Sequence, residues 1–211
     1  EATMYKFISA CAITLLLTIN ANAFAANPKV RMETTKGTVI IELYPDKAPK
    51  TVENFLRYVN EGKYDGTIFH RVIKRFMNQG GGFTADFKKV DTFAPIQNEA
   101  DNGLKNKRGT LAMARTGDPN SATNQFFINT VDNAFLDHSS KTARGWGYCV
   151  FATVVDGMDV MDRIAKVQTG ANGPFQQDVP MEEILIQKVS VIEEAAKPEE
   201  AAKPEEAAKS K

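Results

Sequence analysis

Phe69-His70-Arg71-Val72-Ile73-Lys74-Arg75-Phe76-Met77-Asn78-Gln79-Gly80-Gly81 is the stretch whose reading decides the fold. Residues 69–73 alternate as a strand does, which puts Phe69, Arg71 and Ile73 on one face. A guanidinium on the same face as Phe and Ile lies against an apolar surface. Its simplest reading is an edge-strand arginine whose aliphatic stem covers that surface. Phe76-Met77-Asn78-Gln79 adds a large aromatic, a pliable thioether and an amide. Further on, Gln125-Phe126-Phe127-Ile128-Asn129 supplies a second amide-plus-aromatic strand. Periodicity alone assigns these residues to strands and core.

Outward from this stretch, short apolar runs recur: Val30–Thr34, Thr38–Leu43, Thr67–Ile73, Phe76–Gln79, Thr110–Ala114, Gln125–Thr130, Cys149–Val155 and Ile184–Ile192. Thr35-Lys36-Gly37 suits a tight hairpin between the first two. Only two helices are predicted. The first has Pro49 in its first turn, Val52, Phe55, Leu56 and Val59 at helical spacing, and Gly62 to end it. The second runs from Met158 to Val167, with Asp156 as candidate N-cap and Met158, Met161, Ile164 and Ala165 on one face. Many short strands with two helices point to a barrel or sandwich and away from a doubly wound sheet. The long connections Asn98–Arg108, Arg115–Asn124 and Asp132–Trp146 exceed what a scaffold needs, and such loops often hold a binding site.

The chain has 211 residues with 26 basic and 26 acidic side chains; 43% are hydrophobic and 25% charged. One domain with a real core is expected, and the neutral balance argues against a nucleic-acid footprint. Two histidines and two cysteines, with no C-x-x-C, leave no basis for a zinc site or a disulfide framework. Residues 1–26 read as a secretory signal peptide. Lys6 precedes the apolar run Phe7–Ile19, and small-x-small sites follow at Ala21-Asn22-Ala23 and Ala23-Phe24-Ala25. That mostly apolar run of thirteen residues falls short of the ~20 that span a bilayer. Glu1-Ala2-Thr3, ahead of Met4, reads as an N-terminal scar. Residues 193–211 repeat Glu-Glu-Ala-Ala-Lys-Pro, which has no apolar face and a proline at helix-breaking spacing; a solvated, disordered tail is expected. That leaves 27–192 as the domain. Cys149 reads as a small buried hydrophobe.

Other chemistries fit poorly. Gly80-Gly81-Gly82-Phe83-Thr84-Ala85 matches G-x-G-x-x-A, but Asp86–Phe93 lacks the apolar period of the helix needed to hold a pyrophosphate. G-x-S-x-G is absent, and neither histidine sits in a nucleophile motif. The carboxylates of Asn98-Glu99-Ala100-Asp101 read as a solvated turn.

The run 69–81 resembles the signature of the cyclophilin peptidyl-prolyl isomerases. Gly109-Thr110-Leu111-Ala112-Met113-Ala114, Ser121 through Asn129 and Val150-Phe151 agree with that family in order and spacing. The resemblance covers about Val30 to Ile192 and is strongest to exported bacterial members. It implies a mainly β fold, an eight-stranded antiparallel closed barrel capped by two α-helices, and no cofactor or metal. It also implies Arg71 as the catalytic donor, with Phe76, Met77, Phe127 and Leu136 as a proline pocket. Gln79 would orient the arginine and the substrate. Gln125, with the backbone of Ala114 and Arg115, would form the peptide groove. His70 belongs to the motif as a structural residue. Phe135 stands where a tryptophan is common, Tyr148 where a histidine is, Arg115 where an asparagine is frequent, and Lys74-Arg75 replaces a Pro-Gly turn.

Rotating an Xaa-Pro bond crosses ~18–20 kcal/mol of amide resonance without breaking a bond, so neither nucleophile nor metal is required. The expected partners are proline-containing polypeptides, including unfolded exported proteins, with weak binding of cyclosporin. No nucleic acid and, once the leader is removed, no membrane is expected to bind. A periplasmic monomer is expected, with secretion as the alternative location. The competing reading is a proline-peptide-binding or chaperone-like module whose catalysis is incidental.

Overall fold

Strict alternation of buried and outward-facing side chains builds the first hairpin. In β1 (Lys29–Thr34) residues 30, 32 and 34 are buried, and in β2 (Gly37–Leu43) residues 39, 41 and 43. The computed structural model describes residues 27–193; the signal-peptide reading and most of the tail repeat lie outside these residues. The chain continues through α1 (Pro49–Asn60), β3 (Thr67–Ile68), β4 (Arg71–Ile73), β5 (Met77–Gly80), β6 (Thr110–Met113) and β7 (Phe126–Asn129). It ends with β8 (Val150–Asp156), α2 (Met158–Ile164), β9 (Thr169–Asn172), β10 (Phe175–Pro180) and β11 (Leu185–Ile192). Short 3-10 turns occupy Ala100–Asn102 and Ala134–Leu136 within long loops.

Nine strands form one antiparallel sheet in the order β3-β11-β1-β2-β8-β6-β7-β5-β4. Its two end strands are consecutive in the chain, joined by Phe69-His70 alone. The expectation of eight strands in a closed barrel is corrected here: the sheet has nine strands, and its end strands β3 and β4 do not pair with each other. The run 67–73 is two strands: the first half pairs with β11, then the chain breaks and the second half pairs with β5. The sheet curls so that this one covalent link joins its edges.

The same break corrects the face assignment. Phe69 turns into the main core beside Phe126 and shares that core with Val72, whereas Ile73 packs on the other side and Arg71 is exposed. Alternation holds only within a continuous strand, and the change of partner resets it.

The barrel interior is filled by rings from several elements. Phe55 of α1 meets Tyr64, Phe151 and Phe126 at centroid distances of 5.1, 5.1 and 5.8 Å. Burying each such ring contributes about 1.5–3 kcal/mol. Pro49 begins α1, and Gly62 ends it with φ 63° and its N–H on the Val59 carbonyl at 3.0 Å. In α2 the N-cap is Gly157, not Asp156, and the helix stops at Ile164, short of Val167. Gly157 has φ 84°, and a Cβ there would lie 2.4 Å from the Thr38 carbonyl oxygen, so only glycine fits. Asp156 accepts the Gly157 N–H instead. The small hairpin β9–β10 was not expected from the sequence.

Candidate active site

Side chains of β4–β8 that do not point into the core, with others from the adjoining turns and loops, form a second, smaller cluster. Met77, Ala112, Phe127, Leu136 and Val150 are its buried members, with Ile73, Phe76, Ala114 and Tyr148 packed around them. Strand register aligns the polar and apolar parts. Arg71 lies opposite Gln79, Gln79 opposite Phe127, and Phe127 opposite Ala112, one row across four strands. The row runs from a cation, through an amide, to an aromatic floor.

A pocket of about 190 Å³ opens over this row, lined by Arg71, Phe76, Met77, Gln79, Ala114, Arg115, Phe127, Leu136 and Tyr148. Nine of the eleven site residues expected from the sequence therefore meet in one place. Gln125 stands just behind, its Oε1 accepting the Gln79 Nε2–H at 2.9 Å. Among the described residues no hydrogen bond joins Gln79 to Arg71. Phe135 lies outside the lining. It is 75% exposed and stacks on Phe76 at 5.6 Å, an outer lip to the apolar wall.

The turn carrying Phe76 replaces an expected Pro-Gly pair with Lys74-Arg75, and the backbone still demands a left-handed residue. Arg75 takes φ 61°, and the Phe76 N–H closes the turn on the Ile73 carbonyl at 3.1 Å. Buried amides hold the opposite wall. Asn133 Nδ2 donates to the Phe76 carbonyl at 3.0 Å and to Asn129 Oδ1 at 2.7 Å, while Asn129 Nδ2 donates to Asn106 Oδ1 at 3.2 Å. These bonds fix the loop bearing Leu136 to the turn bearing Phe76. Asn106 and Asn133 gave no signal in the sequence, where an asparagine in a loop reads as turn chemistry.

Two guanidiniums line the pocket. Arg115 is immobilised: Nε donates to the Gly147 carbonyl at 3.0 Å, one terminal nitrogen to the Thr116 carbonyl at 2.9 Å, and its plane lies 4.7 Å from the Tyr148 ring centroid. Tyr148 in turn meets Phe127 edge-on at 5.7 Å. Arg71 is freer, with Asp178 Oδ2 3.6 Å from its Nε. Asp178 was not foreseen either.

His70 is only 3% exposed, packed against Phe83 and Phe175 at 4.8 and 5.7 Å, and is not part of the pocket lining. Burial, with the neighbouring Arg71 charge, lowers its pKa to about 4, so the ring is neutral at physiological pH. Cys149 is buried as expected, and burial pushes its thiol up to about 12. Among the described residues no three His, Cys, Asp or Glu side chains gather as a metal site would require. The arrangement can seat a small apolar ring and present the Arg71 guanidinium along one edge of it.

Comparison with known proteins agrees. Residues 29–191 match the family model "Cyclophilin type peptidyl-prolyl cis-trans isomerase/CLD". Peptidyl-prolyl cis-trans isomerase B of Escherichia coli is 59% identical over 78% of this chain and 99% of its own. Peptidyl-prolyl cis-trans isomerase A of Dickeya dadantii is 52% identical over 90% of this chain and all of its own. A crystal structure of a cyclophilin-type isomerase from Cryptosporidium parvum superposes with a TM-score of 0.64 at 27% identity, covering 80% of this chain and 99% of that one. A pocket that accepts a ring and asks for no bond-breaking group is what rotation about a proline bond needs, and the chain belongs to the cyclophilin-type peptidyl-prolyl cis-trans isomerases.

Proposed function

We propose that Arg71 is the donor that drives this isomerisation, and that the enzyme serves proteins on their way out of the cytoplasm. The observation that carries the first part is the cross-strand row, which sets Arg71 two strands from the Phe127 floor with Gln79 between. Once a proline ring is seated against Phe76, Met77, Phe127 and Leu136, the preceding peptide bond lies along the Arg71 side of the pocket. As that bond twists, the nitrogen lone pair leaves conjugation and becomes an acceptor. A guanidinium N–H aimed at it stabilises the twisted state more than the planar one, and selective stabilisation of that state lowers the barrier. Apolar walls exclude water and strengthen the contact. Gln79 and Gln125, coupled to each other, with the Ala114 and Arg115 backbone, hold the flanking peptide.

Removing one such donor costs about 100-fold or more in turnover. Arg71→Ala, assayed on an Xaa-Pro peptide beside a binding titration, is expected to lose turnover and keep binding. Wild-type turnover in Arg71→Ala would reject the assignment.

The exported role rests on the n-region, apolar run and cleavage sites of residues 1–26. On this reading the mature enzyme is periplasmic and acts as a monomer on unfolded exported chains. Intact mass of the exported protein decides it: the expected mature chain begins between Phe24 and Asn27, and a species retaining Met4 would point to a tethered form.

A further inference from the structure

Arg71 sits on the edge strand β4, beside the hairpin β9–β10. Among the described residues, its only ion-pair partner is Asp178 of that hairpin, with Nε and Oδ2 3.6 Å apart. At that distance the contact is electrostatic and not a hydrogen bond. The carboxylate sits on the Nε side of the guanidinium, which leaves the terminal nitrogens of the fork available.

Two further features show that Asp178 is held there. Its backbone has φ 67°, a left-handed conformation that, after glycine, asparagine and aspartate adopt most readily, so the turn is one that suits this residue. Asp178 lies where the β9–β10 register slips between Phe175 and Val179. The hairpin is itself docked. Phe175 stacks on His70, the residue before Arg71, and meets Phe83 edge-on at 5.1 Å, while Val179 is buried. Gln79, the amide expected to orient Arg71, is instead bonded to Gln125.

We propose that Asp178 is the positioning residue for Arg71: it fixes the Nε side of the guanidinium and turns the terminal N–H groups toward the twisting peptide bond. The proposal rests on Arg71 being the donor. Sequence gave no hint of it, because the hairpin's polar run carries no alternation.

Asp178→Asn tests it, since asparagine tolerates the left-handed backbone and removes only the charge. Kinetics on a proline peptide should show kcat reduced about three- to fivefold, the scale of a part-exposed ion pair, with KM within twofold. Asp178→Glu should recover part of the loss. The Arg71 Nε–H resonance should shift in Asp178→Asn while the thermal midpoint holds, which a merely structural role would not produce. In an Arg71→Ala background, Asp178→Asn should change nothing further. Unchanged kcat in Asp178→Asn, with Arg71→Ala inactive, overturns the positioning role and leaves the donor assignment standing. Full activity in Arg71→Ala overturns both. A loss in Asp178→Asn that persists undiminished in the Arg71→Ala background also overturns it.

Discussion

Gln79 Nε2 donates to Gln125 Oε1 at 2.9 Å, a bond between two side chains that would otherwise each reach into the peptide groove independently. Gly82 guards it. A Cβ at Gly82 would stand 2.5 Å from Gln125 Cγ and 2.8 Å from Gln125 Nε2. Glutamine is flexible, so in Gly82→Ala the side chain swings away and the bond to Gln79 breaks. Backbone strain is not involved, because Gly82 does not have a positive φ. A neutral hydrogen bond of this kind contributes about 1 kcal/mol, so kcat/KM should fall roughly fivefold with a small change in thermal midpoint. Peptide kinetics on the folded variant check this, and unchanged kcat/KM would show that the amide pair is passive.

Arg75 takes a left-handed backbone with φ 61° in the turn that presents Phe76. For a residue with a Cβ this costs about 1 kcal/mol, offset in part by the smaller unfolded-state entropy of arginine relative to glycine. Arg75→Gly is therefore expected to raise the thermal midpoint by about one or two degrees and leave turnover intact. Calorimetry on both forms is sufficient. A lower midpoint would mean that the arginine side chain stabilises the turn by more than the backbone conformation costs.

Legibility followed continuity of pattern. The pocket was readable only through the motif resemblance, because Phe76, Ala114, Arg115, Leu136 and Tyr148 lie in turns and loops, and the strands that carry Met77, Gln79 and Phe127 are buried without alternation. Arg71, Gln79 and Phe127 meet because β4, β5 and β7 are neighbours, which no periodicity reveals but the family resemblance supplied. The hairpin β9–β10 escaped because Thr169-Gly170-Ala171-Asn172 and Phe175-Gln176-Gln177-Asp178 are mostly exposed and do not alternate. With it went Asp178. Asp156 failed as N-cap because a tertiary contact, the Thr38 carbonyl against Gly157, outweighed a local preference. Phe69 was assigned the wrong face for a similar reason: the break at Phe69-His70 is made by the β11 and β5 partners, which are distant in sequence.

His70 gives the fold a pH dependence of known sign. Above pH 6.5 the ring is neutral in both folded and unfolded chains. Below it the unfolded chain takes up a proton that the folded chain refuses until about pH 4, so stability falls as pH drops through that window. The shift corresponds to about 3 kcal/mol once complete. Asp86, Asp101, Asp132, Asp159 and Asp162 all have lowered pKa values, each chiefly through a hydrogen-bonded cationic partner, so their losses come below the ordinary carboxylate range. Urea midpoints between pH 7.5 and 4.5 should fall in the wild type and flatten in His70→Gln. Parallel slopes for the two proteins would assign the effect to other groups.

Phe135 separates substrate binding from inhibitor binding. It is 75% exposed and stacked on Phe76, so it extends the apolar wall outward without entering the pocket lining. Cyclophilins commonly carry an indole at this position, whose N–H donates to the cyclic peptide cyclosporin. Phenylalanine keeps the apolar surface and has no donor, so an inhibitor carbonyl facing it loses its partner. Such a loss costs about 1–3 kcal/mol, or one to two decades of affinity. A proline substrate needs only the wall. Phe135→Trp is therefore expected to tighten inhibition by about 10- to 100-fold while changing turnover far less. Because the side chain is exposed, the larger ring can be added without repacking the core. Inhibition curves for both forms in one peptide assay decide the matter. If the wild type already binds cyclosporin as tightly as Phe135→Trp, the groove pairs that carbonyl by another donor, and Arg115, fixed on the same rim, is the next residue to replace.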